Sequence, residues 1–244
     1  MGMIITILSG KGGTGKTTVC AGVASALALS GKKVLCVDCD VGLRNLDIAL
    51  GMSQEDALTF EDVCRDGYEI DQVARHIGIP NLFFLTAPIT GTADDVDSEA
   101  FLDMLRNARE KFDYIFLDAP AGLDAGFRLT VRQADRIILV TGADPAAVRD
   151  AARVGQELER KVKTEIRLIV NRVDKKALSF MGITIDDIMD QAGLPLIGVV
   201  PEDKNVALAA AFRVPLLTFT RRGAAKACKR IAERIEGHSV AVKL

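Results

Sequence analysis

Ser9-Gly10-Lys11-Gly12-Gly13-Thr14-Gly15-Lys16-Thr17-Thr18 follows an apolar run, Met3-Ile4-Ile5-Thr6-Ile7-Leu8, and leads into a long helix-forming stretch. Gly10, Gly15, Lys16 and Thr17 fill the fixed places of the pattern G-x-x-x-x-G-K-[ST]. Glycines let a backbone curl until several N–H groups point inward at phosphate oxygens. The helix opening near Thr17 adds the positive end of its dipole. Lys16 has the reach for β- and γ-phosphates, and the Thr17 hydroxyl is a natural Mg²⁺ ligand. The stretch predicts a strand, a phosphate loop and a helix in succession, with Gly10 through Thr18 as nucleotide-binding residues.

Moving outward, short runs rich in Ile, Val and Leu recur at Val34-Asp38, Leu82-Thr86, Tyr114-Asp118, Ile137-Thr141, Ile166-Asn171 and Leu196-Val200. Their near-continuous apolar content suits strands covered on both faces. Helical patterns alternate with them at Thr17-Ser30, Ser98-Lys111, Pro145-Arg160, Ile183-Ala192, Lys204-Ala211 and Arg222-Glu236, with Gly31 and Gly193 as stops. This alternation predicts a P-loop α/β fold. Its sheet is mostly parallel and twisted, with about seven or eight strands and helices on both faces. Without repeats or a Pro/Gly/Ser-rich linker, residues 1–244 read as one domain, closed by the helix near 222–236 and a short tail, 237–244.

The 244 residues are 49% hydrophobic and 26% charged, a globular balance, and the formal charge of -2 argues against wholesale electrostatic binding to DNA or an acidic membrane. Five cysteines, an odd number, speak against a disulfide framework and for a reducing, cytoplasmic setting. No secretory signal is expected, and the apolar run Val19 to Ser30 is too short to span a bilayer. Cys36 and Cys39 have C-x-x-C spacing, but their place in and beside a strand reads as buried thiols.

In open parallel sheets ligands sit beyond the carboxyl ends of the strands. Two such ends carry the candidate aspartates. Val37-Asp38-Cys39-Asp40 places Asp38 and Asp40 on one side, suited to Mg²⁺ or to the attacking water; Tyr114-Ile115-Phe116-Leu117-Asp118 delivers one carboxylate suited to Mg²⁺. Asn171 either forms a turn or pairs with an adenine edge, and the flat guanidinium of Arg172 can stack on a base.

The run Lys11-Gly12-Gly13-Thr14-Gly15-Lys16-Thr17-Thr18 resembles the deviant Walker A family of MinD and ParA ATPases. Asp40-Val41-Gly42-Leu43-Arg44-Asn45-Leu46-Asp47 and Ala119-Pro120-Ala121-Gly122-Leu123-Asp124 are similar to the two switch segments of its MinD branch. The resemblance spans residues 3 to 236. It implies that Lys11 reaches across a nucleotide-sandwich homodimer to its partner's phosphates and that Asp40 positions water, with Asp38 near the metal. Gly122 is implied to bring a backbone N–H to the γ-phosphate. By the same likeness Asn171, Arg172, Pro201, Glu202 and Asp203 contact adenine; the N-K-x-D pattern of guanine readers is absent, which favours ATP. The implied activity is slow, dimer-activated, Mg²⁺-dependent ATP hydrolysis in division-site placement. A DNA-partitioning or flagellar-placement ATPase is the neighbouring reading, and a metal-cluster scaffold the reading of another class.

Departures from the family pattern fall in two places. The family's membrane-docking tail is rich in Phe and Leu beside Lys and Arg, whereas Gly237 to Leu244 has no aromatic residue and one lysine. The usual anchor is therefore not expected, any peripheral contact at the inner face of the membrane would be made without it, and the small apolar residues of the preceding helix suit packing on the domain. A MinC-like regulator is implied at the helix after Ile137-Thr141; Arg149 and Asp150 fit, but Ala152 stands where an acidic residue is usual.

Overall fold

The computed structural model describes residues 1–53, 56–122 and 125–243. Among these, the sheet has eight strands: β1 (Met3–Leu8), β2 (Val34–Asp38), β3 (Ala74–Arg75), β4 (Leu82–Leu85), β5 (Tyr114–Asp118), β6 (Arg136–Thr141), β7 (Glu165–Val173) and β8 (Leu196–Pro201). Their order is β3-β4-β2-β5-β1-β6-β7-β8, and every pairing is parallel except β3 with β4. Strand β1 lies centrally between β5 and β6, so its loop leaves the sheet where the chain direction of winding reverses. Such a switch point is the natural ligand site of a doubly wound sheet.

Three apolar clusters make the core. One face of the sheet is covered by α1 (Lys16–Leu29), α2 (Leu46–Leu50), α9 (Lys204–Ala211), α10 (Leu216–Phe219) and α11 (Gly223–Ile235). Helix α1 is buried nearly all round, as its Ala-rich sequence requires. The other face carries α3 (Phe60–Asp66) with α4 (Ser98–Lys111) on one side of β1. On the other side lie α5 (Ala125–Val131), α6 (Pro145–Lys161), α7 (Lys175–Met181) and α8 (Ile185–Ala192). Each Ile or Leu buried here contributes about 1.5–3 kcal/mol.

The C-terminal helix is structural, as its small apolar face predicts: Ala224, Cys228, Ile231 and Ile235 are buried against α1 and β8. The approach is close. A Cβ built on Gly198 falls 2.3 Å from Ile231 Cγ1, and one on Gly22 falls 2.6 Å from Cys228 Sγ. Beyond α11 the tail folds back, its Val240 carbonyl accepting from Arg234 Nε at 2.8 Å and its Lys243 carbonyl from Arg230 at 3.2 Å. No helix among the described residues is long and apolar enough to cross a membrane.

The long strands and helices lie within a residue or two of their expected bounds. The short β3, α2, α3, α5, α7 and α10 are additions, and α1 begins one residue earlier than expected because Gly15, in the left-handed region at φ 84°, serves as its N-cap. Cys36 and Cys39 are both buried, Cys36 in the cluster beneath α1 and Cys39 in that beneath α4, so their thiols face opposite sides of the sheet.

Candidate nucleotide site

The carboxyl ends of β1, β2, β5, β7 and β8 converge on the loop 9–15. Backbone curvature in that loop comes from Gly13 and Gly15, both at positive φ. Nothing lies within 4 Å of a Cβ built on Gly12 or Gly13, so the backbone there is open to a ligand. Thr14 Oγ1 is buried without a hydrogen-bond partner, an orphaned polar atom of the kind a phosphate oxygen satisfies. Open backbone N–H groups, an orphaned hydroxyl and a buried ammonium form a donor set that fits a polyphosphate.

Lys16 supplies the ammonium. It is 7% exposed, and its Nζ lies 2.6 Å from Asp118 Oδ1. Burial works against the Lys16 charge, but the Asp118 carboxylate outweighs it and holds the ammonium above its ordinary range. Burial pushes the Asp118 carboxyl up to about 6, with neighbouring Asp38 adding to the rise and Lys16 and Thr17 opposing it. Asp118 and the adjacent Thr17 hydroxyl are the oxygen donors at this end of the loop that could hold a divalent cation.

Asp40 lies half-buried at the lip of the site. Burial raises its proton affinity, Lys16 lowers it and Asp38 raises it. Asp38 has a task that the sequence reading did not foresee. Its Oδ1 accepts from Asp40 N at 3.0 Å, and its Oδ2 accepts from Asn45 N and Leu46 N, each at 3.1 Å. A carboxylate with three backbone donors organises the loop 40–46. Gly42 N donates to the Pro88 carbonyl at 3.1 Å, pinning the same loop from outside.

On the β7 side, Asn171 is 4% exposed and donates from Nδ2 to the Thr14 carbonyl at 2.7 Å. Its amide is thereby a strap on the phosphate loop, and its second Nδ2–H and its Oδ1 remain for a base. Gly15 is the residue this strap requires, since a Cβ there falls 2.3 Å from Asn171 Nδ2. At the next residue the β7–β8 register slips, and Arg172 takes φ 57°. The guanidinium pairs with Glu202 Oε2 at 2.8 Å and leans over the Gly13 carbonyl at 3.4 Å. Bulges of this kind re-aim a side chain. Asn171, Arg172, Pro201, Glu202 and Asp203 do line one cleft, of about 390 Å³, together with Val206 and Leu216. The Asp203 carboxylate differs from its expected part: it accepts from Asn205 N at 2.9 Å and Ala224 N at 2.9 Å, joining the starts of α9 and α11.

Lys11 stands apart from the others. It is exposed and makes no hydrogen bond or ion pair with any described residue. It borders a second cleft, of about 400 Å³, beside Asp144, Pro145, Arg172 and Met181. Gly10 backs this region, a Cβ there falling 2.8 Å from the Asp150 carbonyl carbon of α6. Gly122 has φ 97° after β5; Leu123 and Asp124, which complete that segment, lie outside the described residues.

Residues 5–216 match the model of the CobQ/CobB/MinD/ParA nucleotide binding domain. The chain belongs to the MinD/ParA family. The septum site-determining protein MinD of Synechocystis is 39% identical over 243 residues, covering 98% of this chain and 91% of that one. The MinC:MinD cell division protein complex of Aquifex aeolicus superposes with a TM-score of 0.91 at 31% identity, covering 99% of this chain and 98% of that one. The septum site-determining protein MinD of Pyrococcus horikoshii, solved with Mg-ADP, gives 0.80 at 29% identity over 97% and 96% of the two chains. Membership makes this chain a nucleotide-binding ATPase of MinD type.

Sequence reading overlooked the parts of the MinD/ParA site that no motif marks. Val206, Ala210 and Leu216 wall the 390 Å³ cleft, yet each is an ordinary apolar residue delivered by tertiary packing. The backbone donors at Asn45 and Leu46 were equally invisible, because every residue except proline carries one. Among the described residues no group of three or more His, Cys, Asp or Glu could hold a metal ion, so no observation favours the metal-cluster reading.

Proposed function

We propose that the chain is an ATP-driven dimerisation switch in division-site placement, acting from the cytoplasm with peripheral contact at the inner face of the membrane. The carrying observation is the pairing of a phosphate cradle built round the buried Thr14 and Lys16 with an exposed Lys11 that has no partner among the described residues of its own subunit. An ammonium in that position is available to a second copy, where it would neutralise charge on the transferring phosphoryl group as an arginine finger does.

In this reading the loop N–H groups, Thr14 Oγ1 and Lys16 hold the triphosphate. Mg²⁺, when bound, neutralises phosphate charge, with the Thr17 hydroxyl and Asp118 the groups that hold it. Asp40 accepts a hydrogen bond from the attacking water, a task suited by its raised proton affinity. The water oxygen bonds to the γ-phosphorus as the bond to the β-phosphate oxygen breaks, giving ADP and phosphate. Arg172, clamped by Glu202, flanks the adenine. The Asp38 carboxylate keeps Asp40 in place through the Asp40 N–H. Arg149 and Asp150 on α6 are offered to a MinC-like regulator; Asp150 packs against Gly10, which places that contact within reach of the phosphate loop.

The test compares Lys11→Ala and Asp40→Ala with ATP and Mg²⁺, by light scattering and phosphate release. Lys11→Ala should abolish both pairing and turnover. Asp40→Ala should stop turnover while the ATP dimer persists. Unchanged pairing and turnover in Lys11→Ala would overturn the switch.

A further inference from the structure

Residues 204–232 contain Lys204, Arg213, Arg221, Arg222, Lys226, Lys229 and Arg230 and not one aspartate or glutamate, in a chain whose acidic residues otherwise outnumber its basic ones. The same segment exposes large apolar groups. Phe212 is 68% exposed, Leu208 41% and Phe219 36%, and the two rings stack with centroids 5.9 Å apart at 21°. Arg213 directly follows Phe212 in the chain, and Arg221 and Arg222 follow Phe219 by two and three residues; all three are exposed and make no side-chain hydrogen bond or ion pair with a described residue.

A second observation concerns the backbone beneath them. Helix α9 ends in a Schellman turn, in which Arg213 N donates to the Ala210 carbonyl and Val214 N to the Ala209 carbonyl, each at 3.0 Å. The left-handed residue of that turn is normally glycine, yet here it is Arg213 at φ 56°. An arginine in that conformation is strained, so its presence is not explained by the stability of the turn.

We propose that Phe212, Phe219 and Leu208, collared by Arg213, Arg221 and Arg222, form a docking knob for an anionic lipid surface. Exposed apolar groups enter the boundary between headgroups and acyl chains while the guanidinium groups meet lipid phosphates. A single-stranded nucleic acid fits less well, because each ring turns one face to the other and has at most one left for a base to stack on. A second copy bound through this patch would set like charges against like. The proposal deepens the peripheral-membrane part of the preceding reading and requires nothing of the ATP switch.

Co-sedimentation of the full chain with phosphatidylglycerol vesicles and with phosphatidylcholine vesicles tests it. Wild type should partition to the anionic vesicles and ignore the neutral ones. Phe212→Ser/Phe219→Ser should bind about ten-fold more weakly. Arg221→Gln/Arg222→Gln should lose on the order of thirty-fold, since each arginine near such a surface is worth about five-fold. Arg213→Gly should weaken vesicle binding while raising the melting temperature, a combination that a merely structural role for Arg213 does not produce. Indifference of wild type to anionic vesicles, or wild-type binding by the phenylalanine variant, overturns the proposal. Arginine-dependent, phenylalanine-independent retention on DNA reassigns the surface to nucleic acid. Turnover and ATP-driven pairing should stay at wild-type level in all these variants, and their loss in the phenylalanine variant would give the patch to the dimer instead.

Discussion

Asn171 carries more of the site than its one amide suggests. Because its Nδ2 holds the Thr14 carbonyl, Asn171→Ala should lower stability by about 1–3 kcal/mol even with no nucleotide present, through a buried acceptor left unpaired. Thermal melts with and without ATP separate that effect from base recognition; a residue that only reads adenine would leave the nucleotide-free melt untouched. Gly15→Ala should be worse, since the added methyl meets the same amide and the backbone is held at φ 84°. At this scale the gathering of Lys16, Thr17 and Asp118 was legible in the sequence, because a phosphate loop needs fixed residue types at fixed spacing and an apolar strand delivers its last residue to the same end of the sheet. The occupations of Asp38, Asn171 and Asp203 were not. A carboxylate or amide advertises its chemistry but not which backbone donor or acceptor folding will bring to it.

Among the elements, α11 is fastened at both ends. Its start meets the Asp203 carboxylate. At its other end Glu236 accepts from Tyr114 Oη of β5 and pairs with Lys32 at 3.1 Å. Burial favours the protonated Glu236, but Tyr114 and Lys32 prevail and hold its carboxyl below the ordinary 4.5. A carboxyl depressed by folding stabilises above its unfolded value and loses that contribution as pH falls through the folded one. Tyr114→Phe should therefore cost about 1 kcal/mol at pH 7, with the gap from wild type narrowing below about pH 4 in urea titrations. On β8, facing the middle of the helix, Gly198→Ala should destabilise by about 1–3 kcal/mol, because the new methyl overlaps Ile231. The long elements were readable from apolar runs and helical periodicity. The five-residue α2 and four-residue α10 were not, since helices so short owe their existence to tertiary contact rather than to pattern.

Across the whole molecule, one continuous sheet joins β3 at one edge to β8 at the other, which is why we expect the chain to act as a single domain. Of its five cysteines Cys20, Cys36, Cys39 and Cys228 are buried, and burial with nearby carboxylates pushes the half-buried Cys64 thiol up to about 12. Titration with an aromatic disulfide at pH 8 should accordingly find less than one fast thiol in the native protein and five in denaturant; a rapidly reacting pair would contradict this packing. The winding of the sheet was legible from strand–helix alternation alone, whereas the position of the antiparallel β3 was not, because two residues carry no periodicity. The bulge at the end of β7 has its own consequence. It assigns one residue to the floor under the phosphate loop and the very next to the wall of the adjoining cleft, so neither position can drift without dragging the other. Anyone retooling this scaffold for a different nucleoside should leave positions 171 and 172 alone and work from the opposite wall, at Pro201 and Glu202.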